Sequence, residues 1–368
     1  MVLGGIHPTV LPEEAKKYCD SVITGEAEPV WGLMLDDALN NRLKGFYHGG
    51  TAASLDNYPL PRRDLIKNKS VLGIQPIVTS RGCPYSCESC SVWRFFGRII
   101  RHVSIDIDNV IKDIEASGTR RFMFLDDNIV GDPAYAEKLF NALSGMNIEW
   151  VGQASISFVK NVNLLKLAHR SGCRGLFFGL ETISEQKMKR MNKSMKTQAD
   201  TLDAIKCVMD EGIIFHASMV FGFDNDDESV FDETLKFMHK TKIPSATFNI
   251  LTSYPGTDIY KQFKKQGRLI TEEWDFYDHC TVTYLPRNMS VSGLYEGYMY
   301  VKNNYYSLGG IIKRFPANYR NPVIFALASL GLKADLKEEN KHVKTCLHKL
   351  YNLIELNYKQ DIVNVEIL

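Results

Sequence analysis

Between residues 76 and 266 apolar residues recur with two alternating periods. Short apolar or β-branched runs, at 77–79, 122–125, 148–152, 175–180, 213–223 and 246–252, read as buried strands. Between them the apolar spacing becomes i, i+3, i+4, i+7, as in Ile107, Val110, Ile111 and Ile114, or Ala136, Leu139, Phe140 and Leu143, which predicts amphipathic helices. The boundaries carry matching punctuation: Asp132-Pro133 opens a helix, and Gly118, Gly145, Gly172 and Gly212 close helices ahead of the next strand. Six βα units in succession require a parallel sheet with right-handed crossovers, whose functional face is the carboxyl ends of its strands. The pattern therefore predicts an α/β fold built on a partial (β/α)6 TIM-like barrel.

The flanks follow other patterns. Met1 to Thr24 reads as a short strand ending in Gly4-Gly5, a helix from Pro12 to Tyr18 and a second strand from Ser21 to Thr24, about half of a doubly wound domain. Residues 51–70, with Pro59, Pro61 and the run Arg62 to Lys69, read as a linker. After the barrel come Glu273 to Asp278 and two helical stretches, Leu294 to Lys313 and Pro322 to Leu356, rich in tyrosines that suit packing better than chemistry. The domains expected are thus 1–50, a linker 51–70, a barrel 71–285 and a helical extension 286–368.

Composition narrows the function. At 368 residues the chain can bury a large core, and 44 basic against 43 acidic side chains give no global charge that would favour nucleic acid. The longest apolar stretch, Val323 to Leu332, is too short for a transmembrane segment, which needs about 20 residues. Eight cysteines without regular pairing, and no leader-like start, point to a reducing cytoplasmic setting.

The chemistry concentrates in Cys83-Pro84-Tyr85-Ser86-Cys87-Glu88-Ser89-Cys90. Three thiolates at C-x3-C-x2-C spacing on a Gly-Pro turn can close on one soft-metal centre. A structural zinc or an electron-transfer cluster normally takes four protein ligands, whereas a reactive centre keeps a position open. Cys19, Cys173, Cys207, Cys280 and Cys346 stand singly, which favours the open position. The alternatives are a zinc knuckle completed by a distant residue such as His102, or three unrelated thiols.

This motif after a strand resembles the signature of the radical S-adenosylmethionine (SAM) superfamily. The resemblance implies a 4Fe-4S cluster held by Cys83, Cys87 and Cys90, with SAM on the fourth iron. It also implies reductive cleavage of SAM to a 5'-deoxyadenosyl radical that abstracts hydrogen from an unactivated carbon. Tyr85 matches the family habit. Ser89 stands where an aromatic residue is usual, which passes the expected adenine contact to the backbone or to Trp93. Val2 to Thr9 and Asp20 to Glu28 resemble the tail of the cobalamin-binding domain that precedes many such modules, so 1–50 is expected to be a remnant of it, with the family's Asp-x-His-x-x-Gly loop outside this chain. Pro255-Gly256-Thr257 and the extension resemble cobalamin-associated, hopanoid C-2 methylase-like proteins.

The same resemblance assigns the strand ends. Asp126 and Asp127 correspond to the motif that receives the SAM ammonium, although a helix-capping role accounts for one of them. Gln153 and Ser155 after strand three, Glu181 after strand four and Ser218 on strand five are candidate contacts to SAM or substrate. Capping is the alternative for Glu181. His216 shares the Ser218 face and is better read as a core histidine. No residue is singled out as catalytic. The reading is a radical SAM enzyme acting on a small molecule or lipid, with an electron donor of flavodoxin or ferredoxin type and cobalamin-dependent methyl transfer as one outcome. Methylthiolation or another radical reaction, and a non-catalytic iron-sulfur or zinc protein, are the alternatives.

Overall fold

The computed structural model describes residues 1–315 apart from 52–53, 56–58, 66–72, 89, 186–187 and 189–196, and beyond 315 only Lys333, Leu336, Lys341, Thr345, Cys346 and Lys349. The chain divides into two compact units, one of residues 1–154, 170–172 and 254–261, the other of 155–169, 173–253 and 262–368.

The first unit holds two parallel sheets. In the smaller, β1 (Val2–Leu3), β2 (Ser21–Gly25) and β3 (Phe46–Gly50) lie in the order β1-β2-β3. The helix Glu28–Leu39 buries Met34, which joins Ile23 and Tyr47 in a small core. The pattern of 1–50 had yielded β1, β2 and the helix at Pro12. β3 and the helix at Glu28 come from the structure. In the larger sheet, β4 (Ile74–Ile77) pairs with β7 (Arg121–Phe124), and β7 with β8 (Glu149–Gln153).

Phe122, Phe124 and Trp150 point into the core at about 1% exposure each, while Met123 and Val151, on the opposite face, stay exposed. That alternation is the period-two pattern of a strand. Trp150 meets Phe124 edge-on at 5.2 Å and stacks on Phe140 at 5.3 Å. Phe140 belongs to the helix Pro133–Leu143, whose N-cap Asp132 accepts hydrogen bonds from the amides of Ala134 and Tyr135.

The first barrel strand begins and ends earlier than the apolar run suggests, at Ile74–Ile77 against 77–79. Pairing with β7 starts at Ile74 opposite Arg121, and by Thr79 the chain has turned into a two-residue antiparallel ladder, β5 (Ser80–Arg81) against β6 (Arg101–His102). The linker is tied down near its middle, where Arg63 pairs with Asp113 at 2.9 Å and donates to Gln75 Oε1 at 3.1 Å.

In the second unit β9 (Cys173–Glu181), β10 (Ile214–Phe221) and β11 (Ser245–Ile250) form a parallel trio with β10 central. Phe178 and Phe215 stack at 4.4 Å in its core. The predicted helix from Leu294 to Lys313 is two helices, Val291–Tyr305 and Leu308–Arg314, because Ser307 caps the second through the Gly310 amide. Their tyrosines do pack: Tyr298 and Tyr305 are fully buried, and the Tyr305 hydroxyl donates to the Ile243 carbonyl at 2.8 Å. The expected helix from Pro322 to Leu356 lies almost wholly outside the described residues.

His216 on β10 is held as a core residue on one side. Its Nδ1 shares a hydrogen bond with Ser245 Oγ at 2.9 Å, and its ring stacks on Phe177 at 5.0 Å. Burial pushes its pKa down to about 4. A neutral folded imidazole gives stability that is complete above the ordinary value near 6.5 and is lost as pH falls toward 4, by up to roughly 3 kcal/mol. Denaturant melts at pH 7 and pH 5 are expected to show this loss in the wild type, and Phe at position 216 should remove that part of the slope.

The helix-closing glycines all adopt positive φ, 66° at Gly118, 93° at Gly145, 98° at Gly172 and 84° at Gly212. Two of them separate strain from crowding. A Cβ on Gly172 would lie 2.1 Å from the Ile148 carbonyl oxygen, whereas one on Gly145 meets nothing within 4 Å. Gly145→Ala should therefore cost only the left-handed strain, about 1–2 kcal/mol, and Gly172→Ala clearly more. Urea midpoints of the two variants check the ordering.

Candidate functional site

The cysteine loop starts where β4 has just ended, and acidic side chains fix its first residues. Asp126, 2% exposed, accepts from Thr79 Oγ1 at 2.6 Å, Ser80 Oγ at 2.5 Å and the Thr79 amide at 3.2 Å. Burial raises its pKa against the pull of those hydrogen bonds. Asp127 accepts from the Gly82 amide at 2.9 Å, and burial raises its carboxyl as well. Gly82 itself sits at φ 96°, with the Ile99 carbonyl where a Cβ would be, 2.1 Å away. Only glycine lets the two ends of the loop pass this closely.

Within the loop Cys83, Cys87 and Cys90 are each partly buried. Burial pushes the Cys83 and Cys90 thiols up, and the charges of Asp127 and of a second thiolate add to the effect. Amides and one side chain oppose it: the Tyr85 amide and Asn128 hydrogen-bond Cys83, and the amides of Val92 and Trp93 hydrogen-bond Cys90. The Cys90 amide donates to the Cys87 carbonyl at 3.1 Å, and the Trp93 indole donates to the same oxygen at 2.8 Å. Arg94 lies over the Trp93 ring at 3.8 Å.

Several thiols and a carboxylate sharing one half-buried pocket repel one another once ionised. A bound cationic centre reverses that cost. Among the described residues no three His, Cys, Asp or Glu side chains stand close enough to hold a single metal ion. Three soft donors with opposing amides suit an iron-sulfur cluster. His102, the suggested distant zinc ligand, instead pairs with Asp132 at 3.0 Å and stacks on Tyr135 at 3.6 Å.

Of the other candidates in this unit, Gln153 joins the group, with Nε2 donating to the Asp127 carbonyl at 3.2 Å. Tyr85 is 40% exposed on the loop, and Ser89 lies outside the described residues. The residues that the sequence did not single out are Thr79, Ser80 and Asn128. Asn128 directly follows the two aspartates, and its 3% exposure is the property a sequence does not display.

The second unit carries the remaining candidates, Ser155, Glu181 and Ser218. Ser155 is 3.0 Å from Ser157 Oγ, and Ser218, 8% exposed, accepts from Asn249 Nδ2 at 3.1 Å. Asn249 was also missed, though Ser245, Thr247 and Asn249 alternate along β11 as a polar face. Glu181 lies at φ 64°, where the register of β9 against β10 shifts between Ser218 opposite Gly179 and Met219 opposite Glu181. Its Oε1 would be 3.1 Å from a Cβ on Gly179. A bulge and a left-handed glutamate at a strand's carboxyl end re-aim a side chain at the expense of backbone strain.

Comparison with known proteins fits this geometry. The Radical SAM superfamily model matches residues 77–238. The chain is 28% identical over 335 residues to a bacteriochlorophyllide d C-12(1)-methyltransferase of Chlorobaculum tepidum, covering 88% of this chain and 73% of the relative. It is 26% identical over 225 residues to the hopanoid C-2 methylase of Rhodopseudomonas palustris, covering 59% of this chain and 42% of the methylase. The solved structure of the cobalamin-dependent SAM radical enzyme OxsB superposes with a TM-score of 0.64 at 14% identity, over 99% of this chain and 68% of that one. The chain thus spans only part of the length of each. The fold is the TIM-like α/β type of the OxsB structure, as the sequence pattern predicts, and the radical SAM match falls within its strands and helices.

Proposed function

We propose that this chain is a radical SAM enzyme whose Cys83, Cys87 and Cys90 hold a 4Fe-4S cluster. The observation that carries the reading is the loop of three half-buried thiols anchored by Asp126 and Asp127 inside the radical SAM match. When bound, such a cluster would supply the electron that cleaves SAM to methionine and the 5'-deoxyadenosyl radical.

The protein's part is to orient and to shield. Asp126 is spent on Thr79 and Ser80, so it shapes the loop. Asp127, facing Cys83 and Cys90, is the carboxylate suited to receive the SAM ammonium, with Gln153 beside it and Tyr85 on the loop. In the second unit Ser155, Glu181 and Ser218 are proposed for the ribose, the SAM carboxylate or the substrate. Residues 1–50 are read as part of a cobalamin-binding domain, 51–70 as a linker, 71–285 as the barrel and 286–368 as a helical extension.

The relatives' names, methyltransferase and methylase, support methyl transfer to an unactivated carbon of a small molecule or lipid, with cobalamin as carrier. A low-potential flavodoxin or ferredoxin is the proposed electron donor. Among the described residues no helix is long and apolar enough to cross a membrane, and the cysteines, none of them in a disulfide, suit a reducing cytoplasm as the working compartment.

The test is anaerobic reconstitution with iron and sulfide, reduction, addition of SAM and detection of 5'-deoxyadenosine by mass spectrometry. The wild type should form it, and a variant with alanine at 83, 87 and 90 should not. Asp127→Asn should keep its iron yet form product about tenfold or more slowly, the scale of one lost charged hydrogen bond. A wild type that loads iron but never yields 5'-deoxyadenosine would favour the non-catalytic alternative.

A further inference from the structure

The base of the cysteine loop contains an electrostatic conflict. In the β5–β6 ladder Arg81 and Arg101 are direct cross-strand partners, one immediately before Gly82 and the other at the far end of the 82–100 segment. Like charges placed opposite each other on an antiparallel pair push the strands apart. Both side chains are largely withdrawn from solvent, at 19% and 7% exposure, so water screens the repulsion poorly.

The smaller sheet of the same unit supplies the answer. Glu26, directly after β2, has a side chain 1% exposed and gives one oxygen to each arginine. Oε1 takes Arg81 Nη1 at 2.9 Å, and Oε2 takes Arg101 Nη1. Its backbone is fixed, because its amide donates to the Gly50 carbonyl at 2.8 Å and Gly49 passes so close that a Cβ there would lie 1.7 Å from the Glu26 carbonyl oxygen. Glu28, more exposed, adds a second partner for Arg81 at 2.8 Å.

We infer that Glu26 is a positioning residue of the cysteine loop: its carboxylate bridges Arg81 and Arg101 and thereby holds closed the base of the segment that carries all three cysteines. The meaning of this for catalysis rests on the proposed cluster, but the closure itself does not. Truncating one member of a buried charge set leaves the others uncompensated, so the bridge matters most for what its loss would release.

Hydrogen exchange on the full-length chain, followed by mass spectrometry, tests this. Glu26→Gln should speed exchange of amides in 82–100 by about tenfold or more through local opening. Met34→Ala, a cavity in the core beside Ile23 and Tyr47, destabilises the same sheet without touching the bridge and should leave the loop protected. Combining Glu26→Gln with Arg101→Met removes the repulsion and should restore protection; if Glu26→Gln alone does not fold, this double variant gives the reading. Iron release to a chelator from the reconstituted protein should rank the variants in the same order. Unchanged exchange in Glu26→Gln, equal loosening in Met34→Ala, or a double variant as labile as the single one would each overturn the inference. Failure of the wild type to hold iron would count against the cluster proposal and leave the exchange result standing.

Discussion

Four consecutive residues, Thr79 to Gly82, are each tied by a carboxylate from elsewhere in the chain. Asp126 takes Thr79 and Ser80, Glu26 takes Arg81, and Asp127 takes the Gly82 amide. Three acids withdrawn from water are expensive to keep. Each is offset by hydrogen bonds to hydroxyls, amides or guanidinium groups, and the return is a loop start with little freedom to move. Three thiols share a metal centre at less entropic cost when the backbone that carries them is already held, and this run of anchors holds its start.

The anchors also divide labour between two neighbouring aspartates. Asp126 points back to the end of β4 and is fully engaged there, whereas Asp127 reaches the loop and faces the charge of two thiols. In the second unit the strand ends show another device, the bulge that leaves Glu181 in a left-handed conformation over Gly179. Strain of this kind persists where surrounding contacts overdetermine it, and the paired strands β9 and β10 do so.

The alternation of strand and helix was legible because the short apolar runs of the strands break the helical spacing, and because four helices close on glycines at positive φ, Gly118, Gly145, Gly172 and Gly212. The cysteine loop was legible from spacing alone. Other features depend on which residues meet. Whether Asp126 or Asp127 caps the β4 end is invisible in two adjacent identical letters. The opposition of Arg81 and Arg101 arises only when a long loop folds back on itself, and their partner Glu26 is remote in sequence. β3 and the helix Glu28–Leu39 escaped because that helix keeps Trp31, Leu33, Leu35 and Leu39 exposed, so its apolar residues do not trace one buried face. Asn128 and Asn249 were missed since a polar residue near a strand end shows no burial in sequence.

In the proposed function the three thiols hold a cluster with one iron left for SAM. Electron paramagnetic resonance of the reconstituted, reduced wild type, recorded with and without SAM, addresses that iron directly. A signal whose g values change on adding SAM is the predicted result, because the ligand would bind the iron that no cysteine holds. A 4Fe-4S signal indifferent to SAM would overturn this assignment, for it would mean that the fourth position is filled.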